Sequence, residues 1–430
     1  MNGGLNTKAV ILAAGKGVRL EPFTITRPKH LIPIAGAPLI EHIINSLKKI
    51  NVEEVIIIVK YMADLIKTHL GDGSRFGIKI KYVEQSSLGG TGEALLSCKE
   101  LLKNNNPFIV VYGDLAFHSS IMNEIVSSFE ESYFGVILGI HKKNSKEFGV
   151  LLTKNNFLLK IEEKSKIEDQ NLINGGIYIL KPEIFDFLIK TSKSSRGEIE
   201  LTDAINLVVN NGGKILIVKA EEDKWVDVGR PWDVLEANKI LMDEIIKEKK
   251  ILGEIEEGAH ILGNVVIEEG AHILSGSYIE GPVWISSGCK VGPNCYIRPY
   301  TYLCKNVRVG NACEIKSSII MENTHIGHLS YIGDSVIGSN CNFGAGTIIS
   351  NLRFDESPIK VTIKGEKVSS NKRKLGAFVG DNVKTGINVS IYPGVKIGPN
   401  SWICPHTLVY KDVPQNTFVF QKFELEFREK

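Results

Sequence analysis

Two hydrophobic periods divide this chain. From Lys8 to about Ala220, short β-branched runs alternate with stretches of helical spacing. Residues 9–12, 55–59, 78–83, 108–111, 134–139 and 215–218 are expected strands, while 40–50 and 94–102 carry apolar residues at helical intervals. Such alternation predicts an α/β fold with a mostly parallel, Rossmann-like sheet covered on both faces. Ligands of such sheets sit outside the carboxyl ends of the strands, so residues just after strands are searched first. Residues 231–250 are expected to form an amphipathic helix with Leu235, Ile240, Leu241 and Ile245 on one side and Pro231 in its first turn.

After Lys250 the period becomes six. Ile255, Ile261, Ile267, Ile273, Ile279, Ile285, Val291, Ile297, Leu303, Val309 and Ile315 fall at six-residue steps. Five-residue steps lead to Ile320 and later Ile337, and the register resumes through Val379, Thr385, Ile391, Ile397, Ile403 and Val409. A hexapeptide period predicts a parallel β-helix, each repeat laying one short strand on the copies above and below. Gly, Asn and Pro at the corners exclude one long helix. The expected organisation is therefore 1–230, a linker helix over 231–250, and a β-helix over 251–430. The final segment alternates Phe423, Leu425 and Phe427 with charge, which suggests a terminal strand packed on the solenoid.

The repeat also accounts for most of the seven cysteines. Cys289, Cys295, Cys313 and Cys341 lie four residues after their anchors, in a slot held elsewhere by Ala259, Ala271, Ser277 and Val283. Cysteine there acts as a small hydrophobe, not as a metal ligand or half of a disulfide. Bulk composition adds exclusions. At 430 residues, 43% hydrophobic and with a net charge of +2, the chain has no global basis for binding nucleic acid or an anionic membrane. Its longest apolar run, 55–59, is too short to span a bilayer, and residues 1–6 lack the form of a secretory signal, so a cytoplasmic location is expected.

Candidate chemistry begins where the first strand runs into Ala13-Ala14-Gly15-Lys16-Gly17-Val18-Arg19, followed by Arg27-Pro28-Lys29. Glycines after a strand let backbone N–H groups approach phosphate oxygens, and Arg19 and Lys29 bring cations to a triphosphate. The string matches neither the P-loop nor the full dinucleotide fingerprint. It resembles the sugar-phosphate nucleotidylyltransferases. That resemblance implies metal-binding aspartates at Asp114, in Tyr112-Gly113-Asp114, and at Asp227, in Trp225-Val226-Asp227. It also implies base recognition by Gln85 and Gly90-Thr91-Gly92, and sugar contacts at Gly149, Glu163-Lys164 and Asn174. Attack of a sugar phosphate on an α-phosphorus needs charge neutralisation and in-line geometry, with no covalent nucleophile. Mg²⁺ on Asp114 and Asp227, with Arg19 and Lys29 at the leaving pyrophosphate, would supply both.

The β-helix carries a polar set that a solenoid does not need. Arg298 and Lys316 lie eighteen residues apart, one coil of three hexads, and are expected to stack. Gly327-His328-Leu329-Ser330-Tyr331, Asn342 and Asn351 follow. These segments resemble the acetyltransferase domain of the bifunctional N-acetylglucosamine-1-phosphate uridylyltransferase/glucosamine-1-phosphate acetyltransferase family, in its archaeal form. The resemblance implies a left-handed β-helix and a homotrimer. His328 is then the catalytic base, Arg298 and Lys316 hold the sugar phosphate, Tyr331 and Asn342 position the sugar, and Asn351 lies near the acetyl or thioester oxygen of acetyl-CoA. UTP or dTTP, a sugar-1-phosphate and acetyl-CoA are the expected substrates.

A basic insertion over 352–374, with Lys360, Lys364, Lys367, Lys372, Arg373 and Lys374, departs from the bacterial pattern. Those cations either meet coenzyme A phosphates or line a solvated hairpin. The repeats around Ile387 and Cys404 also lack the small residues of the bacterial acetyl-CoA site. Two rival readings are a single-activity pyrophosphorylase with a structural β-helix and an inactive regulatory subunit that senses nucleotide-sugars.

Overall fold

The computed structural model describes residues 8–87, 89–102, 106–142, 148–163 and 172–429. The chain forms two compact units. One comprises Met1–Lys16, Pro28–Leu31 and Pro38–Val228; the other comprises Gly17–Arg27, Ile32–Ala37 and Gly229–Lys430.

The first unit is built on a nine-stranded sheet in the order Lys79–Glu84, Glu54–Val59, Ala9–Ala13, Phe108–Tyr112, Leu172–Leu180, Gly135–His141, Ile215–Glu221, Phe157–Glu163, Gly149–Lys154. All six strands expected from the sequence are present, and the pairings among them are parallel. Three more strands lay hidden. Leu172–Leu180 and Phe157–Glu163 run against the rest. Gly149–Lys154 pairs with Phe157–Glu163 across a tight turn at Asn155 and Asn156, both at positive φ. An Asn-Asn pair suits such a hairpin. Its two strands are each only partly buried, too wet to mark a buried run. Val55 to Val59, by contrast, is wholly buried beneath helices on both faces.

In the second unit the helix Asp233–Ile245 leads into the β-helix, whose first strand is Lys250–Ile251. Ile240 and Leu241 of the expected apolar side are buried, while Ile245 is exposed. Three sheets of eight, nine and eight short parallel strands make the faces of a left-handed β-helix. Ile297 pairs with Ile315 eighteen residues on, and Ile315 pairs with Ile332 after a coil one residue shorter. The anchors from Ile267 onward form one continuous core. Each buried Ile or Val contributes about 1.5–3 kcal/mol by leaving water. The cysteine slot is as expected: Cys289, Cys295, Cys313 and Cys341 are buried free thiols. Burial pushes the thiols of Cys289 and Cys341 up to about 12, which keeps them protonated.

The insertion folds as a hairpin, Lys360–Ile363 with Glu366–Ser369, turning at Lys364-Gly365 and closed at its base by a bridge between Leu352 and Lys374. The solenoid register passes across it, Ile337 pairing with Val379. The C-terminal expectation is corrected. After Phe418–Val419 the chain pairs no further, and Phe423, Leu425 and Phe427 are 63–91% exposed. Alternation with charge makes one apolar edge, and that edge does not lie on the solenoid core.

Two pieces of the N-terminal signature belong to this second unit. Phe23 packs edge-on against Phe378, with ring centroids 6.4 Å apart. Arg27 donates from Nη2 to both oxygens of Asp381 at 2.7 Å and to Ser339 Oγ at 2.9 Å, while Thr26 Oγ1 donates to Asp381 at 2.7 Å. Burial works against the Arg27 charge, but Asp381 outweighs it, so the pKa lies above its usual value. Asn238 of the helix accepts from Ala35 N–H and donates to the Tyr300 carbonyl, both at 2.9 Å. Asp381→Ala would leave the buried Arg27 guanidinium with only Glu322, at 4.0 Å, as a carboxylate partner, and we expect chemical denaturation to show a loss of about 3 kcal/mol. A change indistinguishable from zero would contradict this structural role.

Candidate functional site

The first strand, Ala9–Ala13, lies third in the sheet, between Glu54–Val59 and Phe108–Tyr112, with Ala13 buried, and delivers Ala14, Gly15 and Lys16 beyond its carboxyl end. Lys29 sits in a short 3-10 turn, its ammonium 3.8 Å from where a Gly15 Cβ would stand. That ammonium is ion-paired with Asp114. Asp114 follows the strand Phe108–Tyr112, and Gly113 N–H donates to the Leu12 carbonyl at 2.9 Å. Asp227 ends the strand Trp225–Asp227, opposite Leu115, and Val228 N–H donates to the Asp114 carbonyl at 2.8 Å. Backbone pairing thus sets Asp114, in the turn before the strand Leu115–Phe117, beside Asp227 on the strand paired with it. Burial opposes the Asp114 charge, yet Lys29 outweighs it and holds the carboxyl below its usual range.

Among the described residues no group of three His, Cys, Asp or Glu gathers to hold a metal. Two carboxylates alone suit Mg²⁺, which keeps waters and takes substrate phosphate oxygens to fill its octahedron. His30, unnoticed in the sequence, lies buried beside this pair. Burial and then Lys29 drive its pKa down to about 3, so the ring is neutral. Gly17 and Arg19 fall in the second compact unit, with Arg19 exposed.

The base and sugar segments join through a network that the sequence did not announce. Gln85 is buried and donates to the Gly90 carbonyl at 3.4 Å. Gly90 has φ 97, and a Cβ there would lie 2.5 Å from the Ile199 carbonyl, so only glycine fits. Thr91 Oγ1 donates to Glu200 at 3.3 Å and accepts from Leu201 N–H at 3.0 Å. Glu200, with its pKa raised by burial and by Glu198, also accepts from Arg196 at 2.8 Å. Gly149 faces Glu163 across the hairpin, and Glu163 accepts from Thr202 Oγ1 at 3.1 Å. Asn174 opens a bulge in its strand and bonds Tyr178, whose hydroxyl donates to Tyr112 at 3.2 Å. Lys164 lies outside the described residues. Glu200 and Thr202 escaped notice because an acid and a threonine before the apolar run of the helix Leu201–Asn210 read as an ordinary helix start.

On the β-helix, Arg298 and Lys316 stand on successive rungs of one face, as expected, since Ile297 pairs with Ile315. Each meets a carboxylate: Arg298 Nη1 donates to Glu314 at 2.8 Å, and Lys316 Nζ to Asp334 at 3.4 Å. The next residue in this column is Gly333, paired with Lys316. A Cβ there would lie 2.5 Å from Tyr331 Oη and 2.8 Å from Asn351 Nδ2. Glycine therefore makes room for the Tyr331 hydroxyl and the Asn351 amide, which with Asp334 and Lys316 form one polar niche. Asn351 Nδ2 donates to Tyr331 Oη at 3.0 Å and to Asp334 Oδ2 at 2.5 Å. Both amide protons are spent on these two oxygens, which turns the Oδ1 acceptor away from them.

His328 sits exposed at the corner before Tyr331–Gly333, its Nδ1 accepting the Asn311 backbone N–H at 3.2 Å. In that pose the neutral ring carries its proton on Nε2. Asn342 is not brought to the niche within this chain. It stands on another face, in register with His325 and Lys384. Eleven residues beyond Tyr331, it is nearly two hexads and hence two faces away.

Comparison with known proteins matches this architecture. The nucleotidyl transferase family model fits residues 8–244, a GMPPB C-terminal domain model fits 279–377, and a bacterial transferase hexapeptide model fits 376–411. The "Bifunctional protein GlmU" of Methanocaldococcus jannaschii is 47% identical over 98% of this chain and 99% of its own. The "Bifunctional sugar-1-phosphate nucleotidylyltransferase/acetyltransferase" of Sulfurisphaera tokodaii is 45% identical over 96% of this chain and 99% of its own. A bacterial GlmU, from Acetivibrio thermocellus, is 27% identical over 98% of this chain and 96% of its own. Among solved structures, a Bacillus anthracis protein described as a glucose-1-phosphate thymidylyltransferase aligns with 57% of this chain and 98% of its own, at 29% identity and a TM-score of 0.50. The chain belongs to the family of bifunctional sugar-1-phosphate nucleotidylyltransferases/acetyltransferases.

Proposed function

We propose that this chain acetylates glucosamine-1-phosphate with acetyl-CoA and then joins the N-acetylated sugar phosphate to UTP, releasing pyrophosphate. The observation that carries the reading is the niche at Gly333. Lys316, Asp334, Asn351 and Tyr331 are joined there across adjacent coils, with Arg298 one rung below Lys316, where a purely structural solenoid would need only its buried anchors. The proposed functional division is 1–230 for nucleotidyl transfer, 231–250 as linker and 251–430 for acetyl transfer. UTP and acetyl-CoA place its work in the cytoplasm, and resemblance to hexapeptide enzymes argues for a homotrimer.

In nucleotidyl transfer, a phosphate oxygen of the sugar attacks the α-phosphorus and pyrophosphate departs. The backbone of Ala13, Ala14, Gly15 and Gly17 approaches the triphosphate, and Gln85, Gly90 and Thr91 receive the base. Gly149, Glu163 and Asn174 hold the sugar. Lys29 balances charge on the leaving group. Mg²⁺, held by Asp114 and Asp227, supplies further neutralisation of the phosphates when bound. Lys29, paired with Asp114, stands where it can also reach a phosphate oxygen.

In acetyl transfer, the sugar amine attacks the thioester carbonyl carbon, the amine loses a proton to His328, and coenzyme A leaves as a thiol. His328 must release the Asn311 N–H, or turn about Cβ–Cγ, to offer its lone pair. Arg298 and Lys316 bind the sugar phosphate, already aimed by Glu314 and Asp334. The insertion has exposed cations at Lys360, Lys364, Lys367 and Lys374, whereas Lys372 pairs with Glu236 at 2.5 Å and Arg373 with Glu356 at 3.2 Å. Coenzyme A phosphates therefore have Lys360, Lys364 and Lys367 on the strands and turn, and Lys374 at the base, to meet.

A second reading, a single-activity pyrophosphorylase with a structural β-helix, has support from the GMPPB C-terminal match over 279–377. Two variants separate them. In His328→Ala, thiol release from acetyl-CoA dependent on glucosamine-1-phosphate should fall by roughly 10²–10⁴-fold, with pyrophosphate formation from UTP unchanged. An unaltered thiol assay would favour the single-activity reading. Asp114→Asn should show the reverse pattern: pyrophosphate release reduced on the order of 10²-fold or more, with acetyl transfer intact. Loss of both activities together would contradict two separate sites.

A further inference from the structure

We infer that Asp334 is a positioning residue that sets the hydrogen-bond polarity of the acetyl-acceptor niche. The inference rests on the acetyl-transfer reading and adds to it a residue that touches none of the reacting atoms.

Asp334 occupies the corner immediately after Gly333, with φ 50, its amide donating to the Lys316 carbonyl at 2.9 Å and its carbonyl accepting from Gly376 N–H at 2.8 Å. The backbone on both sides is thus tied to neighbouring coils. Its side chain is 15% exposed and turns to two partners, Lys316 Nζ and Asn351 Nδ2. A carboxylate only accepts, so the end of the Asn351 amide that faces it must be Nδ2. The second Nδ2 proton then reaches Tyr331 Oη. That oxygen, now an acceptor, is left to direct its own proton elsewhere. The order runs one way: carboxylate, amide N–H, phenol oxygen, phenol O–H.

Two consequences follow at the niche. Asn351 presents Oδ1, an acceptor suited to an amine N–H of the sugar. Tyr331 presents an O–H donor, suited to a sugar oxygen. Reversing the Asn351 amide would place two acceptors against each other and remove the acceptor for the amine. An uncommitted amide would sample both orientations, and misorientation of the attacking nitrogen is costly to rate.

The test uses Asp334→Gly and Asp334→Asn in the full-length protein. Both tolerate the left-handed backbone, so neither introduces the strain that alanine would. Glycine removes the acceptor, whereas asparagine can still accept from Asn351 and so should rescue. The expected result is a kcat for acetyl transfer lowered on the order of 10- to 100-fold in Asp334→Gly, a rise in KM for glucosamine-1-phosphate through Lys316 that is smaller than the fall in kcat, and most of kcat recovered in Asp334→Asn. Adding Asp334→Gly to Asn351→Ala should cost nothing further, since both act through one amide. Pyrophosphate release from UTP, unchanged in each variant, confirms folded protein.

A wild-type kcat in Asp334→Gly, an effect confined to KM through Lys316, or full additivity with Asn351→Ala would each overturn the inference. A wild-type protein without acetyl transfer would overturn the reading beneath it as well.

Discussion

Pairing of each rung with the rung one coil away governs what the second half of this protein can do. The apolar anchors point inward on every hexad, so the residues flanking them are fixed in outward columns at the rise of one strand spacing. Arg298, Lys316 and Gly333 form such a column because Ile297, Ile315 and Ile332 stack beneath them. The site needs no special loop to assemble it. A residue's face follows from its position in the hexad, and its height follows from the coil. The same arithmetic separates Asn342 from the niche, and it allows a hairpin to leave the solenoid between Leu352 and Lys374 without disturbing the anchors above and below.

The first unit solves a comparable problem with a sheet. Chemistry-bearing residues come from the ends of separate strands, and their mutual placement depends on sheet order, not on sequence separation. Asp114 and Asp227 meet because a short antiparallel pair carries one beside the other. Lys29 is delivered from a turn to a strand end already rich in backbone donors. Thr91, Glu200, Thr202 and Glu163 connect the segment expected at the base with the segment expected at the sugar. In both units charge is held in readiness: Lys29 on Asp114, Arg298 on Glu314, Lys316 on Asp334. A cation kept near a carboxylate stays ordered until phosphate displaces it.

Periodicity made the architecture legible. The six-residue step fixed the solenoid, the stacking of Arg298 over Lys316 and the burial of the cysteines, because each depends on counting alone. The fully buried parallel strands announced themselves as apolar runs. The hairpin over 149–163 did not, since its outer strand is half wet, and Leu172–Leu180 was obscured by the polar bulge at Asn174. Residues that act through others were the least visible. His30, Glu200 and Asp334 lie in contexts of buried turn, helix start and solenoid corner that need no function to explain them. Phe423, Leu425 and Phe427 show the converse, alternation of strand type without a strand to join.

The central claim is that one chain performs two consecutive transfers on one sugar phosphate. The most direct test supplies wild-type protein with glucosamine-1-phosphate, acetyl-CoA, UTP and Mg²⁺ and identifies the nucleotide-sugar by mass spectrometry, while thiol and pyrophosphate are quantified. The account predicts UDP-N-acetylglucosamine, with one coenzyme A and one pyrophosphate released per product. A nucleotide-sugar formed without acetylation, accompanied by pyrophosphate but no free thiol, would contradict it.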